Sequence, residues 1–364
     1  MRGPRSHTEG LAEHIQITPC EDTYELIKDD FVLDEVGEGE ATGLDRNMCY
    51  HQGGERRREP ASVPAEGWEF SGEGFMAVLH IDKIHPEFGA RIAGVDLSKP
   101  IAEDAAEEIR AAADEHSFLC FPDQDMDDQN QLAFTRFFGE PEPSHVKLGQ
   151  EGVIDYFGTI GNVMEDGSKL GNDHKRTIFQ TGNNLWHSDS SFRKVPSKFS
   201  IMCAYEVPEE GGRTEFVSLR AAYGRLSEAE RERIDPLIAI HDYVFSRSKV
   251  GPDAVTPSHA ASLPPVEQKL VRSNPRTGDK NYFVGSHARE VVGWEYDDSR
   301  ALLDDLLERA TAAEHVYAHA WQPGDVVVWD NRCLLHRGSG YDADKYRRRM
   351  RQTRVSGTGP TTEE

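Results

Sequence analysis

Short runs of β-branched and aromatic residues, each closed within a few positions by a turn, set the strongest limit on how this chain can fold. VLHIDKI, SFLCFPD, SKFSIMCAYEVP, RTEFVSL, KNYFVGS, HVYAHAW, VVVWDN and RRRMRQTRV read as strands, because alternation or a brief apolar run bounded by Gly, Pro, Asn or Asp favours extended pairing. Helical patterns are fewer: AEDAAEEIRAAADEHS, SEAERERIDPL, DDSRALLDDLLERATA and DDQNQLAFTRFFGEP. The last should end at Gly139 and Pro141 and present Leu132, Phe134, Phe137 and Phe138 to a core. There is no internal repeat and no Gly-rich phosphate loop. The expected fold class is mainly β with flanking helices, built on a double-stranded β-helix or jelly-roll core.

The organisation changes near residue 75. Before it, EVGEGEATGLDR and HQGGERRREPASVPAEG surround a single apolar run, YELIKDDFVL, too little to bury a core. Residues 1–75 are therefore expected to be a disordered extension, and residues 76–364, starting at MAVLHIDKI, the functional domain. Inside that domain the turn-rich stretch 140–182 carries Lys147, Lys169, Lys175 and Arg176. Structureless segments of such length in a compact domain are frequently binding loops.

A formal charge of −23, from 64 acidic against 41 basic residues, argues against a general nucleic-acid or anionic-membrane binder, since like charges repel. Ordinary solubility or a high-salt host would both account for it. Five cysteines without a close pair suit a reducing compartment. No signal-like or membrane-spanning apolar stretch is present, so the expected location is cytoplasmic. A homo-oligomer acting on a small molecule is the expected state.

The stretch NNLWHSDSSF places His187 and Asp189 two positions apart. In a strand, residues i and i+2 share a face, so an imidazole and a carboxylate would project together while Trp186 and Ser188 point the other way. PGDVVVWDNRCLLHRG ends a hydrophobic strand with His336, which supplies a third ligand. Two His and one carboxylate on one face form the set used by non-haem Fe(II) oxygenases. Taken alone, the spacing is also compatible with a structural histidine.

The segments FFGEPEP, NLWHSDSSF, PEEGGRTEF, RAAYGRL and WDNRCLLHRG occur in the order found in the taurine dioxygenase / 2,4-dichlorophenoxyacetate dioxygenase family, which the chain resembles from about Met76 to Gly357. WHSDSSF and WDNRCLLHRG look more like the phenoxyacetate branch. The resemblance implies iron(II) held by His187, Asp189 and His336, with 2-oxoglutarate as cosubstrate and dioxygen as oxidant. It also implies that a hydroxyl, Thr214, and an arginine of the last strand receive the far carboxylate of 2-oxoglutarate. Alternation along YRRRMRQTRVSG sends residues 348, 350 and 352 to one face and 347, 349 and 351 to the other. Aligning Met350 and Gly357 with the family's RxM and terminal Gly makes Arg348 the cosubstrate ligand; Arg347 is the alternative.

That register places Gln352 where relatives often keep a second arginine for the substrate's acid group. Lys147, Lys169, His145 and Asn183 match, approximately, other substrate-side residues of the family. The implied reaction is hydroxylation of a small organic acid resembling an aryloxyalkanoate, with decarboxylation of 2-oxoglutarate to succinate and CO2. Alkylsulfonates such as taurine and alkyl sulfates are the neighbouring alternatives. Metal-dependent hydrolysis would explain the His-Asp-His set but gives Thr214 and the Arg-rich strand no role. A non-catalytic metal-binding barrel is the reading from outside enzymology.

Overall fold

The computed structural model describes residues 79–144, 155–164, 166–251, 255 and 257–364. The expected N-terminal extension and its boundary at residue 76 lie outside the described residues. The account below concerns the compact unit that the described residues form from 79 to 255 and from 259 to 364. No helix among the described residues is long and apolar enough to cross a membrane.

In chain order, β1 (His80–Lys83) and β2 (Ala90–Ala93) form an antiparallel pair, followed by α1 (Glu103–His116), β3 (Phe118–Phe121) and α2 (Asp128–Phe138). Next come β4 (Gly158–Gly161), α3 (Lys175–Gln180), β5 (Phe199–Glu206), β6 (Thr214–Ser218) and α4 (Glu228–Ile234). Then follow β7 (Ile238–His241), α5 (Tyr243–Ser248), β8 (Val266–Lys269), β9 (Val271–Ser273), β10 (Lys280–Tyr282), β11 (Ala288–Val291) and α6 (Tyr296–Ala310). The chain closes with β12 (Tyr317–His319), β13 (Val326–Asp330), β14 (Leu334–Gly338) and β15 (Arg349–Val355).

Two sheets organise the protein. A seven-stranded sheet runs β1-β2-β3-β13-β5-β15-β4, and a three-stranded sheet runs β12-β6-β14. The period-2 pattern of the strands assigns their faces. Val326 and Val328 of β13, with Ile201 and Cys203 of β5, join Ile109 of α1 and Phe134 of α2 in one apolar cluster. The intervening residues Val327, Trp329, Met202 and Ala204 face the opposite way and meet Phe216 and Leu334 of the smaller sheet. Phe118 and Phe216 touch across that gap, edge to face at 4.8 Å. On the far side of the smaller sheet, Val217 and Leu335 pack against Leu303 and Leu306 of α6.

The helices end where their chemistry requires. Asp127 accepts from the Asn130 amide at 2.7 Å and starts α2, while Ser227 and Glu230 form a reciprocal capping box on α4. Of the expected core face of α2, Leu132, Phe134 and Phe138 are buried and Phe137 partly so. Gln131 and Thr135 are also fully buried there, because their side chains bond to β15: Gln131 Nε2 donates to the Arg351 carbonyl at 2.9 Å, and the Thr135 and Thr353 hydroxyls meet at 2.6 Å.

Three expectations are corrected. The stretch 140–182 is not structureless, since it contains β4 and α3. Residues 187–189 are not a strand; His187 makes one antiparallel bridge to His336, and the chain then turns at Ser190, whose φ is 54°. VVVWDN and CLLHRG are two strands in different sheets, because Asp330 accepts from the Arg332 amide at 2.9 Å and folds the chain over between them.

His241, 1% exposed, stacks on Phe283 at 5.0 Å. Burial, reinforced by Arg272, pushes its pKa down to about 3. The unfolded chain therefore binds a proton that the folded chain refuses, so stability present above about pH 6.5 is lost as pH falls toward 3. The unfolding free energy, measured with urea, should drop between pH 7.5 and 5.5, by up to about 1.4 kcal/mol per pH unit below 6.5 for each such histidine. His241→Phe should remove part of that slope; an unchanged slope would show that this imidazole is not responsible.

Candidate active site

The bridge between His187 and His336 is a reciprocal backbone pair, with N–H to O distances of 3.0 and 2.9 Å. It sets the two imidazoles 4.2 Å apart between centroids. The turn at Ser190 then brings back Asp189, whose oxygens lie 3.9 Å from His187 Nε2 and 3.7 Å from His336 Nε2. All three donor atoms fall within 4.8 Å of one another.

Neighbours fix the orientation of each group. The Leu185 carbonyl accepts from His187 Nδ1 at 2.7 Å, which leaves Nε2 as the lone-pair nitrogen. Asp189 Oδ2 accepts from Ser200 Oγ at 2.7 Å and from Gln352 Nε2 at 2.8 Å, and Asn331 accepts from the Asp189 amide at 3.2 Å. Asn331 is itself held: its Oδ1 accepts from Trp329 Nε1 at 3.0 Å and its Nδ2 donates to Ser200 Oγ at 2.8 Å.

Burial dominates the electrostatics. It lowers the pKa of His187 against the pull of Asp189, and burial together with His187 takes His336 down to about 3. Burial alone would raise Asp189, but His336, His187, Arg354 and the Ser200 hydroxyl outweigh it and hold the carboxyl below its usual range. At neutral pH the set is two neutral imidazoles and one carboxylate, a donor set that fits a divalent metal ion.

The triad opens into a cavity of about 180 Å³ that is also lined by Asn183, Gly212, Thr214, Tyr341, Arg348 and Gln352. Arg348 is 7% exposed, its Nε has no hydrogen-bond partner, and no carboxylate pairs with it among the described residues. Burial lowers its pKa to about 10, which leaves it charged at neutral pH. An unpaired buried cation is costly, and an anion that entered the cavity would offset that cost. Arg347, by contrast, is exposed and paired with Glu206. Thr214 sits on the same cavity wall, and its Oγ1 accepts from Trp321 Nε1 at 2.9 Å. Trp321 thus backs the site from within the core.

The remaining candidates divide. Asn183 lines the cavity, with its Oδ1 accepting from Arg247 Nη2 at 3.2 Å. Gln352 lines it too, but its amide donates to Asp189, so it orients that carboxylate. Lys169 is exposed, does not line the cavity, and donates to the Asp344 carbonyl. His145 and Lys147 lie outside the described residues.

Sequence reasoning missed Ser200, Asn331 and Asn162. Asn331 stands in the quoted WDN block, but nothing in the pattern says that its amide serves Asp189. Asn162, fully buried, accepts from the Arg348 amide at 2.8 Å and donates to the carbonyls of Leu170, Ala343 and Tyr346. It pins the loop that delivers Arg348.

A second hollow, about 430 Å³, contains none of the triad. Asp325 on its wall belongs to a cluster with Cys120 and His319. That cluster is closed internally: the His319 Nε2 and Asp325 Oδ2 atoms meet at 3.1 Å, and the Tyr317 hydroxyl meets His319 Nδ1 at 3.2 Å. Burial and Asp325 push the Cys120 thiol up to about 12.

With this geometry in view, comparison with known proteins is informative. Residues 80–354 match the family model "Taurine catabolism dioxygenase TauD, TfdA family". The chain belongs to the TauD/TfdA family. It is 38% identical over 273 residues to the alpha-ketoglutarate-dependent 2,4-dichlorophenoxyacetate dioxygenase of Cupriavidus pinatubonensis, covering 74% of this chain and 95% of that one. It is 36% identical over 280 residues to the (S)-phenoxypropionate/alpha-ketoglutarate-dioxygenase of Sphingobium herbicidovorans, covering 74% and 92%. Among solved structures, the complex of AAD-2 with Mn(II) and N-oxalylglycine superposes with a TM-score of 0.71 at 37% identity, covering 78% of this chain and 98% of that one. This member of the family is an oxidoreductase, a 2-oxoglutarate-dependent dioxygenase that uses iron(II) and dioxygen.

Gly161 in β4 has φ 133°, and a Cβ there would lie 2.0 Å from the Arg348 carbonyl oxygen. Gly161→Ala should therefore cost about 2 kcal/mol or more, from backbone strain plus displacement of the chain at Arg348, just before β15. Gly278→Ala is the control, since its φ is 77° but nothing lies within 4 Å of the added carbon. Equal losses for the two variants in urea denaturation would refute the close-approach argument.

Proposed function

We propose that this dioxygenase hydroxylates a small organic acid of the aryloxyalkanoate type. In this reading His187, Asp189 and His336 hold iron(II), and Arg348 with Thr214 receives the far carboxylate of 2-oxoglutarate. The observation that carries it is the buried, unpaired Arg348 facing the same cavity as the His-Asp-His set. A dianionic cosubstrate chelating the metal at one end needs a cation at the other, and Arg348 supplies it without solvent competition. The substrate class is supported by relatives named for 2,4-dichlorophenoxyacetate and (S)-phenoxypropionate.

When bound, iron(II) and 2-oxoglutarate together supply the oxygen chemistry, decarboxylation to succinate and CO2 coupled to oxygen insertion at a C–H bond. This chain's own groups hold and orient. The Leu185 carbonyl fixes the His187 tautomer, while Ser200 and Gln352 fix the carboxylate of Asp189. The Trp321 indole N–H occupies a lone pair of the Thr214 hydroxyl, leaving its proton to be donated into the cavity. The two facing sheets constitute, in this reading, the double-stranded β-helix. Residues 76–364 make up the catalytic domain, and the enzyme works as a cytoplasmic homo-oligomer.

Succinate formation should be stimulated by aryloxyalkanoic acids above the substrate-free background. Stimulation by taurine or alkyl sulfates alone would move the substrate class to those relatives, and turnover without dioxygen would overturn the oxygenase reading. Arg348→Gln should raise the KM for 2-oxoglutarate about 100-fold, the effect of removing one partner of a buried charge pair. Arg347→Gln should leave that KM near wild type, and the reverse result would exchange the two roles.

A further inference from the structure

Asp189 is followed by Ser190, a non-glycine residue with φ 54° and 3% exposure. A left-handed backbone at such a residue is unfavourable and persists only where its surroundings hold it. What holds it is distant in sequence. The Ser190 hydroxyl donates to Glu142 Oε1 at 2.6 Å, and the Arg193 amide closes the turn on the Ser190 carbonyl at 2.9 Å.

Glu142 is 3% exposed and lies outside the cavity lining. Its carboxylate also accepts from the Ser197 hydroxyl and pairs with Arg354 Nε at 3.2 Å and Arg193 Nη1 at 3.1 Å. Its backbone amide donates to the Arg354 carbonyl at 2.7 Å. Arg354 is two residues beyond Gln352 on β15, and Gln352 donates to Asp189 Oδ2. One buried carboxylate thus ties together the turn that carries Asp189 and the strand that supplies its amide donor.

We propose that Glu142 is a positioning residue for the iron centre, acting through the Ser190 hydroxyl to fix where the Asp189 carboxylate stands. If Glu142 served only to neutralise Arg193 and Arg354, the Ser190 bond would be dispensable to the site. If it positions Asp189, the Ser190 bond is the arm that matters and the Ser197 bond is not. Partners of metal ligands typically carry a 10- to 100-fold effect on metal affinity.

The test is calorimetric titration of the metal-free protein with Mn(II), alongside thermal melting. Ser190→Ala should weaken Mn(II) binding about tenfold, while Ser197→Ala should lower the melting temperature to a similar extent and keep the affinity within about twofold of wild type. Unchanged affinity in Ser190→Ala, or equal weakening in both variants, overturns the proposal. It rests on the metal role given to Asp189, which the same titration checks separately: wild type that fails to bind, or Asp189→Ala that still binds as wild type, sinks that assignment instead.

Discussion

Everything at this site depends on one reciprocal pair of backbone hydrogen bonds, between His187 and His336. The two residues come from elements that share no sheet, and among the described residues the bridge is the single point at which the loop is paired to β14. Backbone bonds of this kind leave little freedom, so the imidazoles are brought together before any ligand arrives. The turn at Ser190 then needs to return only one side chain, Asp189, to the same face. Pre-placement matters because three donors ordered only on binding would each charge the metal for lost conformational freedom.

Many of the elements were legible in the chain because strands follow the two-residue period and the longer helices an amphipathic one, with α2 and α4 also carrying side-chain caps. Val326 to Trp329 alternate between two apolar clusters as the pattern requires, and α1, α2, α4 and α6 fall where the amphipathic pattern puts them. What failed to show was determined by contacts between segments far apart in sequence. β4 is a strand because β15 offers it an edge, and GTIG alone has no strand signature. The division between β13 and β14 is signalled by DNR, turn-forming residues that a hydrophobic run on both sides conceals.

The site was legible in proportion to how much of each role is local. Alternation puts Arg348 and Arg347 on opposite faces, the family's RxM spacing favours the first, and the structure, in which both immediately precede β15, buries Arg348 and exposes Arg347. Gln352 shows the limit of such reasoning. Its position on the cavity face follows from the same alternation, yet its partner is Asp189, 163 residues away. A neutral amide there can donate to the Asp189 carboxylate without adding a second cation to the cavity wall. Lys169 fails for a similar reason: its ammonium finds a backbone carbonyl in the 342–344 turn, a contact no local pattern encodes.

The distribution of unmet hydrogen-bonding capacity points the same way. Around Asp189 the polar groups are closed into a network through Ser200, Asn331, Gln352 and Trp329. On the cavity wall, the buried atoms left without partners include Arg348 Nε, His336 Nδ1 and Thr177 Oγ1. The network groups close on the Asp189 carboxylate, whereas Arg348 lines the cavity with no carboxylate partner among the described residues. In the proposed reading, the far carboxylate of 2-oxoglutarate would supply the anion that this buried guanidinium lacks.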